Sequence, residues 1–308
     1  MNASGEVSST VWLAPVLLAA FSVSGWFSIS ILRRWLRGEP VVAYAPRRRV
    51  PWHGGDVLAV LIVYVALITQ AIFAVRWWLG PDLVRPLADA GPTDEAHPIV
   101  RLIAGGNAWM LVAAVATAVI VAPLVEEFLF RVLLLGYLED AWRRWRRAAP
   151  ALRRLGPAAL APVVVVSLLF AWLHVRSHAT HYTPQYEAGM LFGQEAAAVL
   201  TVLFAIVLLR CRAGADAADF GWSPQHLAAD VRLGFTAFCA MATPLYLLQF
   251  ALQWLLPKGV APDPAPIFLL ALALGTLYHR THRIAPSLAM HVSLNATSML
   301  LLLLTGLN

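Results

Sequence analysis

Long apolar runs recur along the whole 308-residue chain, and they constrain its fold more than any other feature. A helix needs roughly 20 apolar residues to cross a hydrocarbon core about 30 Å thick. Eight runs approach or exceed that length, at residues 9–32, 55–79, 105–138, 158–175, 194–210, 233–256, 264–279 and 284–306. The sequence therefore predicts one all-α, membrane-embedded domain over residues 1–308, a polytopic helical membrane protein with about eight transmembrane helices.

Composition and charge support this fold class and narrow the partners. Only 13% of the residues are charged and 60% are hydrophobic, and the mean hydropathy is +0.69, whereas soluble domains carry roughly a quarter charged residues. The net charge of +6 could indicate nucleic-acid binding, but the arginines lie beside the apolar runs. Arginines in such positions orient helices or contact anionic lipids. We expect contacts with the lipid bilayer and no nucleic-acid partner.

The arginines also predict an orientation. Six lie between residues 33 and 49 and six more between residues 143 and 154, whereas the loops at 80–104 and 176–193 contain few. Cytoplasmic loops are enriched in Lys and Arg. The alternation predicts that both termini lie outside the cytoplasm, and we expect an integral membrane protein of the cell (inner or plasma) membrane.

Three groups of polar residues interrupt the apolar runs. They are Glu126, Glu127 and Arg131 in the third run, His174 in the fourth, and His291 and Asn295 in the eighth. Ionisable residues are costly inside a bilayer and usually serve function. An acid, a base and an amide donor together suggest a hydrolytic site.

Helical spacing assigns different tasks to the two glutamates. Glu127 and Arg131 are one turn apart and should form an ion pair. Glu126 is rotated by about 100° from Glu127, so it can face water or a substrate and is the candidate general base. Pro123 predicts a kink or break in the same helix that could admit water. The alternative is an ion pair that only ties two helices together.

Metal dependence stays open at this point. Glu126, His174 and His291 could together hold zinc on ligand chemistry alone, but the same three side chains could instead hold a water molecule without a metal. A rival zinc site would use His174 with His178 and His181 if the fourth helix continued outward. His291 and Asn295 share a helix face, where one could orient a water and the other donate to an oxyanion.

The three polar groups form an ordered set of motifs. These are Glu126-Glu127-x-x-x-Arg131, Phe170-x-x-x-His174 and His291-x-x-x-Asn295. The set resembles the CPBP family of intramembrane proteases, the relatives of the CAAX prenyl endopeptidase. The resemblance implies an eight-helix membrane fold and a peptidase, of glutamate or metallo type, that cleaves a membrane-associated or lipidated protein or peptide. CAAX processing and peptide-precursor processing are both compatible with it, and zinc is not settled by it.

The resemblance also implies roles for single residues. Glu126 would activate water beside His174 and His291, and Asn295 would stabilise the oxyanion. Glu127 and Arg131 of the first motif would support these residues. Val132 stands where the family usually has glycine.

The resemblance covers residues 105–178 and 264–300, which would form the protease-like core, and leaves 194–256 as a candidate insertion. The loop that contains Phe220, Gly221 and Trp222 could narrow or gate substrate access. Two other functions fit the same residues. One is a catalytically silent member of the family with an immunity or chaperone role, and the other is a proton- or ion-coupled transporter whose buried acids and histidines form a relay.

Overall fold

The computed structural model of the chain describes residues 10–46, 48–80, 108–148, 160–175, 184–256 and 263–306. Eight helices form these parts of the chain, and no β-strand is found there. They are α1 (Thr10–Leu36), α2 (Gly54–Leu79), α3 (108–148), α4 (Ala161–Leu173), α5 (Pro184–Ala213), α6 (Leu227–Leu255), α7 (Pro264–Thr281) and α8 (Ile284–Gly306). The predicted all-α class and the eight helices are confirmed.

Six of the described helices, namely α1, α2, α3, α5, α6 and α8, are long and apolar enough to cross a membrane. α4 is a shorter apolar helix of 13 residues. Large apolar side chains stay exposed on the outer faces, including Trp77 and Trp254. Exposed apolar area of this extent suits hydrocarbon rather than water. The chain is a polytopic helical membrane protein.

α3 is continuous but irregular. α-Helical turns alternate with two π-helical stretches, Thr117–Val121 and Glu127–Leu135. The prediction at Pro123 was a kink or a break. The helix runs on through Ala122–Glu126 between these stretches, so it is not broken there. π-Helical turns often mark functional sites. The first motif of the sequence therefore lies where the backbone of α3 departs from regular α-helix.

The irregular backbone frees a carbonyl that another helix uses. The amide of Ala122 donates to Thr117, and Pro123 has no N–H to offer to the next carbonyl in the π-helical pattern, which is that of Ala118. The side-chain amide of Asn295 on α8 donates to this oxygen at 2.8 Å. A proline in α3 thus creates the acceptor that fixes α8 beside it.

α8 packs against α3, α6 and α7, while α4 packs on α7 and α3. An ion pair holds the beginning of α8, where Arg283 Nη2 lies 2.7 Å from Oδ1 of Asp230 at the start of α6. Asp230 is buried. These contacts bring the helices with the second and third motifs onto the helix with the first.

The loop between α5 and α6 is packed into the protein. Phe220 stacks on Trp52, with ring centroids 6.1 Å apart, and also contacts Phe128 of α3 at 5.8 Å. Gly221 has φ of +75°, and a Cβ there would lie 3.0 Å from the backbone nitrogen of Ile284. The loop therefore anchors the start of α8. Its predicted gating role, and the predicted division into a core and an insertion, stay predictions.

Candidate active site

The two glutamates of α3 lie in different environments. The side chain of Glu127 is completely buried, whereas 25% of the Glu126 side chain is exposed. Nε of Arg131 lies 3.6 Å from Oε2 of Glu127, and the arginine is also buried. The ion pair expected from helical spacing is present, and Glu126 is the accessible acid of the pair.

The second and third motifs both reach Glu126. His174, at the C-terminal cap of α4, places Nε2 3.6 Å from Oε1 of Glu126. His291, on α8, places Nε2 3.6 Å from Oε2 of the same carboxylate. One histidine therefore faces each carboxylate oxygen, and three polar groups from separate parts of the sequence form one cluster.

Hydrogen bonds fix which nitrogen of each histidine carries the proton. Nδ1 of His174 lies 2.7 Å from the carbonyl oxygen of Phe170, and Nδ1 of His291 lies 3.1 Å from Oε1 of Glu127. A carbonyl oxygen and a carboxylate can only accept, so both Nδ1 atoms donate. When the rings are neutral, both Nε2 atoms present lone pairs toward Glu126.

The cluster therefore concentrates hydrogen-bond acceptors around Glu126. Two imidazole lone pairs and a carboxylate face the same small space, and a water molecule can donate its two protons to such groups. The donor types, with partners on both Nδ1 atoms, would also suit zinc. Among the described residues, however, no group of three or more His, Cys, Asp or Glu side chains is arranged to hold a metal ion. His178 and His181 of the rival zinc site lie outside the described residues.

The comparisons with known proteins agree with the motifs. A family model described as type II CAAX prenyl endopeptidase Rce1-like matches residues 108–218. These residues form an Rce1-like CAAX prenyl endopeptidase (CPBP) domain. The match spans α3, α4 and α5 and includes the first two motifs, whereas His291 and Asn295 lie beyond it. No curated protein and no solved structure matched the chain.

The matched CAAX endopeptidase domain suggests an intramembrane peptidase that acts on protein substrates. The site also includes a residue from outside the matched region. His291, on α8, lies beside both glutamates of the first motif. The departure at Val132 is accommodated in the core, where its side chain is fully buried. A side chain in place of the family's glycine therefore does not open the packing of α3.

Phe170 connects the parts of this candidate site. Its ring centroid lies 4.3 Å from that of His174 and 6.2 Å from that of His291. The guanidinium carbon of Arg131 lies 4.7 Å from the centre of the same ring, which is within the range of a cation–π contact. In the sequence Phe170 only marks the spacing of the second motif, but in the structure its ring packs beside both histidines and the buried arginine.

Asn295 lies one turn beyond His291 on α8, and its one hydrogen bond in the described structure is the donation to Ala118. This bond uses one of the two N–H groups on the side-chain amide. The second N–H is available to a substrate oxygen. The oxyanion role expected for Asn295 therefore stays a prediction, while its structural role on α3 is observed.

Asn295→Ala is expected to lower the free energy of unfolding by about 1–3 kcal/mol, because the carbonyl of Ala118 loses its partner in an apolar setting. Unfolding of the purified protein in detergent measures this loss. Thr297→Ala is a control on the same helix, since the bond of the Thr297 hydroxyl in the described part of the chain goes to the carbonyl of Ser293 within α8. Equal stability of the two variants would contradict the assigned contact.

Two further residues near Glu126 were not found from the sequence. Glu195 on α5 and Tyr64 on α2 are partly buried, and both interact electrostatically with Glu126. The predicted fifth run began at residue 194, which placed Glu195 at a membrane surface. α5 begins ten residues earlier, at Pro184, so Glu195 lies about 16 Å into the helix. An acid inside the apolar run at residues 194–210 is the signal that could have revealed it.

Proposed function

We propose that the protein is an intramembrane endopeptidase in which Glu126 activates a water molecule for attack on a peptide carbonyl. The observation that carries this proposal is the approach of His174 Nε2 and His291 Nε2, each 3.6 Å from one oxygen of Glu126. A carboxylate held between two imidazole acceptors can orient a water molecule and then take a proton from it. Partial exposure of Glu126 gives substrate and water access to it.

In the first step, Glu126 takes one proton from water as the oxygen forms a bond to the substrate carbonyl carbon. Negative charge then develops on the carbonyl oxygen, and donors that face this oxygen lower the barrier. His291 is one proposed donor, in the form in which both of its ring nitrogens carry protons, and His174 Nε2 then remains the imidazole acceptor for the water molecule. The free N–H of Asn295 is the second proposed donor.

In the second step, the bond between carbonyl carbon and nitrogen breaks, and the proton on Glu126 passes to the leaving amine. The products are a new carboxyl terminus, whose added oxygen comes from water, and a new amino terminus. Glu126 acts first as base and then as acid, as proton balance requires. No step of this mechanism passes through a metal.

Glu195 is proposed as a positioning residue for this proton. Two neighbouring carboxylates outside bulk water carry one proton more readily than two negative charges. Glu195, within electrostatic reach of Glu126, would keep the abstracted proton in the site until the amine leaves. Its role is therefore exerted through Glu126.

Glu195→Gln is expected to lower the cleavage rate roughly 10- to 100-fold, because the variant cannot exchange a proton with Glu126. Glu195→Asp should retain most of the rate, since the carboxylate is preserved. Cleavage by the purified variants in liposomes measures both effects. Wild-type rates for Glu195→Gln, or equal losses for the Gln and Asp variants, would remove Glu195 from the mechanism.

The proposed substrates are membrane-associated or lipidated proteins or peptides, since the family acts on protein substrates and Glu126 lies on a helix long and apolar enough to span a membrane. New peptide termini should be compared between membranes of cells that express the wild type and cells that express Glu126→Ala at matched levels. We expect termini that occur only with the wild type, and these would identify the substrate. Identical profiles from two folded proteins would contradict the peptidase proposal and favour a silent or transport function.

A further inference from the structure

A second concave surface lies far from Glu126, at the arginine-rich end of α3. It is a groove of about 270 Å³ lined by Leu138, Ala141, Trp142, Trp145, Ala161, Pro162 and Val165. These side chains come from one face of α3 and from the first turns of α4. The groove begins 12 residues beyond Glu126, a distance of about 18 Å along a helix. It is therefore not part of the active site.

The groove is apolar and opens toward the outside of the helix bundle. The side chains of Trp145 and Val165 are 67% and 54% exposed. An acyl chain would cover such a surface at little cost, because hydrocarbon surrounds a helix of this kind in a bilayer. The lining alone does not choose between a lipid and another apolar ligand.

The charges beside the groove make that choice. Arg143, Arg144, Arg146 and Arg147 follow one another within two turns of α3. The carboxylates nearby are already engaged, since Asp140 pairs with Arg143 and Arg144 and Glu139 pairs with His279. The end of α3 therefore carries an excess of positive charge beside an apolar groove. An anionic lipid combines the two matching properties in one molecule.

Two buried donors supply an independent indication. Nε1 of Trp142, which lines the groove, and Nε of Arg146, one turn further along α3, are both buried and have no hydrogen-bond partner in the described structure. Buried N–H groups usually have an acceptor. Phosphate oxygens are strong acceptors that bind arginine with charge assistance. A ligand with acceptor oxygens would therefore satisfy both donors.

We propose that this groove binds one anionic phospholipid, whose phosphate accepts hydrogen bonds from Trp142 and Arg146 and whose acyl chain lies along the groove. The arginines then do more than orient the helix, because the tryptophan donor and the apolar walls select a particular lipid position. This proposal does not depend on peptidase activity.

The test uses the full-length protein purified in detergent, with phosphatidylglycerol and phosphatidylcholine of identical acyl chains titrated separately. Bound lipid is counted by native mass spectrometry. We expect the wild type to retain phosphatidylglycerol at concentrations at which phosphatidylcholine is lost. Arg146→Gln should weaken phosphatidylglycerol binding about tenfold, as removal of a charge-assisted hydrogen bond does.

Three further variants distinguish a specific lipid-binding site from nonspecific attraction of anionic lipids to positive charge. Trp142→Phe keeps a ring in the groove but removes its donor, and we expect weaker binding of the anionic lipid. Val165→Trp fills the groove at an exposed position with every arginine intact, and it should also weaken binding. Arg33→Gln makes the same charge change at the exposed end of α1 and should have no effect. Equal binding of the two lipids, or equal losses for Arg33→Gln and Arg146→Gln, would overturn the proposal.

Discussion

Glu126→Gln is expected to lower the rate of peptide-bond cleavage by a factor of about 10²–10⁴, the usual contribution of a positioned general base. Glutamine has nearly the shape of glutamate but cannot take a proton from water. The side chain is one-quarter exposed and forms no ion pair with Arg131, so the substitution should leave the fold intact. The rate is measured with the purified protein in liposomes on the substrate that the comparison of peptide termini identifies.

Glu39→Gln provides the matched control for this variant. Glu39 undergoes the same chemical change, but its side chain is half exposed and, among the described residues, pairs with Arg34 near the end of α1. Its cleavage rate should equal that of the wild type. A Glu126→Gln variant that cleaves as fast as the Glu39→Gln control would show that Glu126 is not the base.

Arg131→Met is expected to lower the free energy of unfolding by about 3–5 kcal/mol, because removal of one partner leaves the other as an uncompensated buried charge. Glu127 is completely buried, and Arg131 is its cationic partner at 3.6 Å. The substitution also removes the cation–π contact between the guanidinium and the ring of Phe170. Unfolding of the purified variant in detergent, followed by the loss of helical signal, measures this difference.

Two variants show whether the buried charge is the cause. Arg34→Met removes an exposed partner of Glu39 and should cost no more than about 1 kcal/mol. Adding Glu127→Gln to Arg131→Met removes the uncompensated charge while keeping an acceptor for Nδ1 of His291, so stability should partly return. A double variant that is less stable than Arg131→Met would contradict the electrostatic explanation.

The sequence predicted those parts of the molecule that depend on local periodicity. Eight apolar runs correspond to eight described helices, because hydropathy is a local property of the chain, and six of these helices are long and apolar enough to span a bilayer. The pairing of Glu127 with Arg131 followed from their separation by one turn, even though the local helix is π-helical. The greater exposure of Glu126 followed from the same rotation.

Contacts between helices could not be read from the sequence in the same way. The hydrogen bond from Asn295 to Ala118 depends on a π-helical stretch next to Pro123, and one sequence contains no direct signal for that backbone geometry. The packing of Phe220 between Trp52 and Phe128 joins residues more than 90 positions apart. These contacts depend on which helices become neighbours.

Glu195 shows how an error in the predicted start of a helix can conceal a residue near the candidate active site. The apolar run begins at residue 194, whereas α5 begins at Pro184. The helix includes polar residues such as Gln185 and Gln194, which a search for apolar residues does not count. A shift of ten residues moved Glu195 from an expected surface position to the vicinity of Glu126. Hydropathy alone locates the apolar centre of a helix better than its ends.

The most direct test of the central claim is cleavage of the identified substrate by the purified protein in water enriched in ¹⁸O. The proposed mechanism predicts that the new carboxyl terminus gains one ¹⁸O atom with the wild type. The rate at which labelled product forms should fall by a factor of about 10²–10⁴ with Glu126→Gln. An unlabelled new terminus, or labelled product formed equally fast by Glu126→Gln, would contradict hydrolysis by water that Glu126 activates.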